Sequence, residues 1–178
     1  MCGRYEFSYN PSNLSKQIEN KAKACNLKYK TGEVFPGDDV LCMIAKEEKI
    51  DLIVLKWGIR KESLRINARQ ETIENSISYY HKNYKPCAVI ASGFYEWDSH
   101  HDKYYLKGKD EFIYLAGIYN EEGMLIITKE ADETMQGIHP RMPVIMDQKE
   151  MIRYVHDGQI RNKSKQLFIS QTNESRLF

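Results

Sequence analysis

The chemistry open to this chain starts at its second residue, in Met1-Cys2-Gly3-Arg4. Aminopeptidases trim an initiator methionine when a small residue follows, so Cys2 is expected to become the mature N-terminus. A free α-amine titrates near ~7.7–8.0 and a thiol near ~8.5, so both are partly nucleophilic at neutral pH. A β-aminothiol of this kind condenses with an aldehyde to a Schiff base, and the thiol then closes a thiazolidine ring. An internal cysteine has no amine with which to do this. The alternative reading is a frayed chain start with no role.

Three further segments carry residue types suited to chemistry. In Ile66-Asn67-Ala68-Arg69-Gln70-Glu71-Thr72, the Asn beside an Arg could orient a nucleophile and hold a phosphate, or simply cap a turn. In Ala91-Ser92-Gly93-Phe94-Tyr95-Glu96-Trp97, strand alternation puts Phe94, Glu96 and Asp98 on one face and Tyr95 and Trp97 on the other. A carboxylate among aromatics suits general acid/base work, although an exposed strand glutamate reads the same way. In Gly137-Ile138-His139-Pro140-Arg141-Met142-Pro143, two prolines pin the backbone. His139 is then a candidate proton carrier and Arg141 a phosphate fork, or the segment is a structural turn. The His100-His101 pair lies in a polar hairpin approach and takes no metal role.

Composition sets bounds on this. The 178 residues are 42% hydrophobic and 29% charged, as in a soluble globular protein with one core, read as a single domain over 1–178. No run approaches the ~18 apolar residues of a membrane span, and no secretory signal pattern opens the chain, so a cytoplasmic protein is expected. A net charge of +1 neither marks nor excludes a nucleic-acid binder. The four cysteines form no CxxC pair, so neither zinc nor disulfides are expected. Cys42 and Cys87 lie in apolar runs and read as buried small hydrophobes, and Cys25 reads as structural. Cys2 differs, lying outside any apolar run.

The elements that must position these residues follow from periodicity. A strand is expected at 4–8, then a helix at 11–25 with Asn10 as cap and Pro11 in its first position. Strands at 39–45 and 51–57 flank the charged turn Lys46-Glu47-Glu48-Lys49. Residues 58–69 read as loop, and 70–81 as a helix stopped by Pro86. Strands follow at 87–92, 94–98, 103–107, 111–119 and 123–128, then a helical stretch at 130–136 and a strand at 143–146. Asp147 with Glu150 resembles a capping box before a helix at 148–156, and 167–169 is a last strand. The sum is an α+β fold, a β-rich, curled or barrel-like sheet with flanking helices.

Met-Cys-Gly-Arg, Asn67-Ala68-Arg69 with Glu71-Thr72, Gly93-Phe94-Tyr95-Glu96-Trp97 and Ile138 to Ile145, in this order, resemble the SRAP family of SOS-response-associated peptidases or abasic-site processing proteins. Phe35-Pro36-Gly37, Lys56-Trp57-Gly58, Leu115 to Tyr119 and Ile126 to Lys129 are smaller echoes, and the resemblance runs from Cys2 to about Met146. It implies the SRAP fold and a DNA-repair protein of the DNA-damage and SOS responses. Such a protein binds single-stranded DNA and forms a covalent thiazolidine crosslink with the aldehyde of an abasic site, by lyase-like Schiff-base chemistry. It also implies autoproteolytic removal of Met1, a hydrolase activity.

Carried over by position, the resemblance makes Cys2 the nucleophile and Asn67 the residue that places it. Glu96 transfers protons and His139 assists at the sugar hydroxyl. Arg4, Arg69, Arg141 and Thr128 match positions near DNA phosphates, and Trp57 and Pro36 positions beside the DNA, where a Trp face could stack on a base. No cofactor, metal or membrane is implied. The protein would be a monomer, cytoplasmic and nucleoid-associated when on DNA. The chain departs from the family pattern in a short segment after Trp57-Gly58, in Glu33-Val34-Phe35-Pro36 where an Asn is usual, and in Ser92 where Asp is common. Two other readings stay open. One is a cysteine peptidase or N-terminal-nucleophile amidohydrolase using Cys2 and His139. The other is a single-strand binder without catalysis.

Overall fold

Strand alternation and helix caps account for much of what the computed structural model describes, which is residues 2–161 and 166–172. Strand β1 (Arg4–Phe7) precedes helix α1 (Asn13–Ala24). The cap of α1 is Ser12, not Asn10, and its Oγ accepts from the Ser15 N–H at 3.0 Å. The hydroxyls of Ser12 and Ser15 donate to the Glu111 carboxylate, Ser15 at 2.6 Å. Glu111 thus puts a negative charge at a helix start that has no acid of its own.

Next come β2 (Gly32–Val34), β3 (Asp39–Lys46) and β4 (Lys49–Lys56), the last two joined through a tight turn with Glu47 in the left-handed region (φ 54°). The stretch 58–69, expected as loop, contains β5 (Ile59–Arg60), β6 (Leu64–Arg65) and β7 (Asn67–Arg69). The single helix expected at 70–81 is two, α2 (Gln70–Asn75) and α3 (Ile77–Asn83), broken at Ser76. Asn and Ser favour caps and turns over helix interiors, which explains the break.

Strands β8 (Lys85–Ala91), β9 (Gly93–Trp97), β10 (Lys103–Lys107), β11 (Ile113–Asn120) and β12 (Gly123–Glu130) follow. Pro86 lies inside β8 rather than at a helix end; it pairs with Ile118 but lies beyond the two-residue contact of β8 with β3. The helix expected at 130–136 is a run of turns. There the Asp132 carboxylate accepts from the Thr134 N–H at 3.2 Å, a local bond that competes with helix. The strand expected at 143–146 is split into β13 (Arg141–Pro143) and β14 (Ile145–Met146). Helix α4 (Gln148–Asp157) has the expected capping box, and β15 (Phe168–Gln171) is the last element.

Among the described residues these form a five-stranded sheet, β15-β10-β9-β1-β2, and an eight-stranded one along β13-β12-β11-β8-β3-β4. In the larger sheet β14 adds to β11 and β7 adds to β12, and β5 and β6 pair separately. The fold is α+β and sheet-rich, as expected, but both sheets are open. The barrel-like closure is corrected, because β4 ends its sheet as an edge whose charged Lys49, Asp51 and Lys56 suit an unpaired strand. The core lies between the sheets and under α4, whose Tyr154 hydroxyl donates to the Gly117 carbonyl at 2.8 Å. No helix among the described residues is long and apolar enough to cross a membrane.

Candidate active site

Strand pairing brings four distant segments to one place. Strand β1 lies antiparallel to β9 with Arg4 opposite Tyr95, a register that carries the two residues before β1 past Glu96. Strand β7 runs parallel to β12, with Asn67 opposite Ile126 and Arg69 opposite Thr128. Strand β13 flanks the other side of β12, with Arg141 opposite Glu130. The site is therefore organised around β12, with β1 and β9 facing it.

Asn67 is the tie between these strands. Its Nδ2 donates to the Cys2 carbonyl at 3.2 Å and to the Ile126 carbonyl at 3.5 Å. Two carbonyl acceptors on one nitrogen settle which way the amide points. Asn67 Oδ1 is buried and has no hydrogen-bond partner among the described residues.

Cys2 itself is fully buried and belongs to the apolar core. This corrects the expectation of a thiol without apolar surroundings: it lies in no apolar run of the sequence, but the strands packed on it are apolar. Burial, and then the negative charge of Glu96, push the thiol well above the usual thiol range. The Arg4 backbone N–H donates to its sulfur and offsets part of this. Cys42 and Cys87 are buried as expected, whereas Cys25 is exposed.

Glu96 is 4% exposed. Its neighbours Tyr95 and Trp97 are half-buried on the opposite face, as alternation requires. His139 Nε2 lies 3.7 Å from Glu96 Oε1, longer than a direct hydrogen bond between these two atoms. The ring is held from behind, because its Nδ1 lies 3.0 Å from both the backbone nitrogen and the carbonyl oxygen of Arg141, and the tautomer decides whether it accepts from the one or donates to the other.

The cations divide into three kinds. The guanidinium of Arg141 is forked onto Glu71, Nη1 to Oε1 at 2.8 Å and Nη2 to Oε2 at 3.0 Å, and Nη2 also donates to the Thr128 carbonyl at 2.7 Å. Its fork is filled by a carboxylate of the chain itself. The Arg141 hydrogen bonds hold the Glu71 carboxyl below the usual carboxylate range. The Arg4 guanidinium lies over the rings of Phe35 and Trp97, at 4.4 and 4.8 Å from their centres, and donates to Glu33 at 3.3 Å. Arg69 stands exposed where β7 meets α2.

The other expected DNA-side residues fare differently. Pro36 is half-buried beside the exposed Phe35. Thr128 is fully buried, with its hydroxyl donating to the Ala68 carbonyl at 3.5 Å. Trp57 is fully buried too, packed on Tyr5 at 5.4 Å with its Nε1–H bonded to the Ile66 carbonyl at 3.1 Å. The stacking expected of Trp57 is corrected: no face of its ring is open to a base, because an isolated bridge to Met124 draws it onto the β12 side of the core.

Sequence reasoning missed the parts played by Glu71, Glu33, Lys103 and Phe35. Glu33 accepts from both Arg4 and the buried Lys103, the latter at 2.9 Å. Glu71 stood within a singled-out motif, yet nothing local says that it meets an arginine 70 positions on. Among the described residues no group of three His, Cys, Asp or Glu side chains is placed to hold a metal.

Two curated relatives are similar along most of the chain. One is the abasic site processing protein YedK of Escherichia coli, 28% identical over 82% of this chain and 75% of that protein. The other is the abasic site processing protein YoqW of Bacillus subtilis, 30% identical over 82% and 76%. Among solved structures, a protein from Bacteroides thetaiotaomicron superposes with a TM-score of 0.74 at 17% identity, covering 97% of this chain and 93% of that one. A protein from Bordetella bronchiseptica does so at 0.72 and 14%, covering 96% and 99%. At those identities the likeness shows a shared fold. The profile of the SOS response associated peptidase (SRAP) family matches residues 1–177, and this chain belongs to that family.

Proposed function

We propose that this chain is a DNA-repair protein that couples itself to abasic sites in single-stranded DNA through Cys2, once Met1 has been removed. The observation that carries the reading is the convergence on one residue. Asn67 grips the Cys2 carbonyl at 3.2 Å, and Glu96, beside His139, is close enough for its charge to act on the Cys2 thiol. The names of the similar proteins support the same target.

The steps follow from these groups. An abasic sugar is mostly a closed ring, so its ring oxygen must gain a proton and its hydroxyl lose one before an aldehyde exists. His139, held by Arg141, and Glu96 are the donor and acceptor for this exchange. The Cys2 amine then adds to the aldehyde carbon, and loss of one water gives the imine. Asn67 Oδ1 is the acceptor available to orient that amine. The thiol finally adds across the C=N bond, with its proton passing through Glu96 to the nitrogen, so that water is the only product released. Fixing amine, thiol and acid around one sugar supplies a large part of the rate through effective concentration.

The buried thiol weighs against a peptidase acting on other proteins, since a cysteine protease needs its thiolate. Removal of Met1 by the chain itself would need one turnover only.

The test is a denaturing gel after incubation with single-stranded DNA carrying one abasic site. A covalent band that Cys2→Ala abolishes is the expected outcome, and absence of the band with protein whose intact mass shows Met1 removed would sink the proposal.

A further inference from the structure

We infer that the outer face of Phe35 is a stacking platform for a nucleobase next to the lesion. This rests on the proposed function and adds a contact that the crosslinking chemistry does not require. Phe35 is 40% exposed, a large apolar ring left in solvent. The Arg4 guanidinium lies over its ring at 4.4 Å from the centre, and over the Trp97 ring at 4.8 Å. Arg4 thus joins two aromatic rings, and that of Phe35 still reaches solvent.

The cluster stands beside the chemistry, because Arg4 is two residues from Cys2 and begins the strand that pairs with the one carrying Glu96. The loop that carries Phe35 is also rigid. Its own N–H is bonded to Asp38 Oδ2 at 2.9 Å, and the Gly37 N–H to the Trp57 carbonyl at 2.7 Å. Gly37 at φ 95° makes the sharp turn that a side-chain-bearing residue resists. An aromatic ring held out from a fixed loop, with an arginine beneath it, complements a base and its phosphate together.

The test uses the intact protein and single-stranded DNA with a tetrahydrofuran abasic analogue, which has no aldehyde, so that binding is read by anisotropy apart from crosslinking. A second oligonucleotide replaces the two bases flanking the lesion with the same spacer. Phe35→Ala and Phe35→Leu are expected to weaken binding about tenfold on the first oligonucleotide. On the second they should change it by less than about twofold, with Phe35→Trp at wild-type affinity or tighter on the first. Equal losses on both, full affinity with Leu, or no loss at all would overturn the inference. Wild-type crosslinking to an authentic abasic site is run alongside. If that fails while the base-dependent loss remains, the crosslinking proposal falls and the stacking one stands.

Discussion

Cys2 and Glu96 lie out of reach of water, whereas Arg69 and Phe35 stand in it. At the buried end Asn67 ties Cys2 to β12, and its own Oδ1 is buried without a hydrogen-bond partner among the described residues. The thiol stays protonated there because its charge would be neither solvated nor welcome beside Glu96. At the outer edge the groups are held loosely or by stacking, where salt and water screen each contact. Damage at the buried end should therefore be abrupt and tied to protonation, and damage at the edge graded and tied to salt. Arg141 joins the two, since its backbone holds His139 while its side chain reaches the half-exposed Glu71.

The largest separation should come from Glu96→Gln. Loss of the proton carrier should slow single-turnover crosslinking by about a hundredfold or more, while affinity for the unreactive abasic analogue stays within about twofold. Equal losses in both would mean that Glu96 acts in folding or binding instead. In stability the largest loss should come from Trp57→Ala, which empties a fully buried site and should destabilise the fold by about 3–5 kcal/mol in urea or thermal melts. A small change there would show that Trp57 is less embedded than its packing on Tyr5 indicates.

Arg69→Ala probes the edge. It should weaken DNA binding a few-fold and lower the slope of log affinity against log salt by about one, with the crosslinking step at saturating DNA unchanged. A slope equal to that of the wild type would remove Arg69 from the phosphate track. The smallest effect concerns Glu71, whose carboxyl is held below its ordinary value by Arg141. A depressed carboxyl adds stability above its unfolded value, near ~4.3, and that stability fades as pH falls through the folded one. Glu71→Gln should therefore lose up to about 1 kcal/mol at neutral pH, since the side chain is half exposed. The difference from wild type should close toward pH 3, as followed by denaturant melts across acid pH; a difference independent of pH would mean that hydrogen bonding and not charge holds the pair.

Legibility followed the range of the interactions. The capping box of Asp147 and Glu150, the alternation that puts Glu96 on the face of Phe94 and the hairpin of β3 and β4 are settled within a few residues, and each was visible in the letters, although that the Glu96 face is the buried one was not. The start of α1 was nearly so, but Ser12 won the cap over Asn10 because Glu111, 99 positions away, also holds its hydroxyl. Residues 58–69 looked like loop because polar, aperiodic sequence carries no strand signal. Its β7 is made by a parallel partner about sixty positions later.

By itself the sequence determined the family, the β-rich α+β class and the identity of the residues that can do chemistry. Residue types and their order are enough for that. Only the tertiary structure decided that Cys2 is buried, that Trp57 is a core post and that Glu71 fills the fork of Arg141. These are consequences of which strands lie side by side. The Asn67 contact with Cys2 spans 65 positions, and pairing at that distance is set by the packing of the whole chain, on which local periodicity has no purchase.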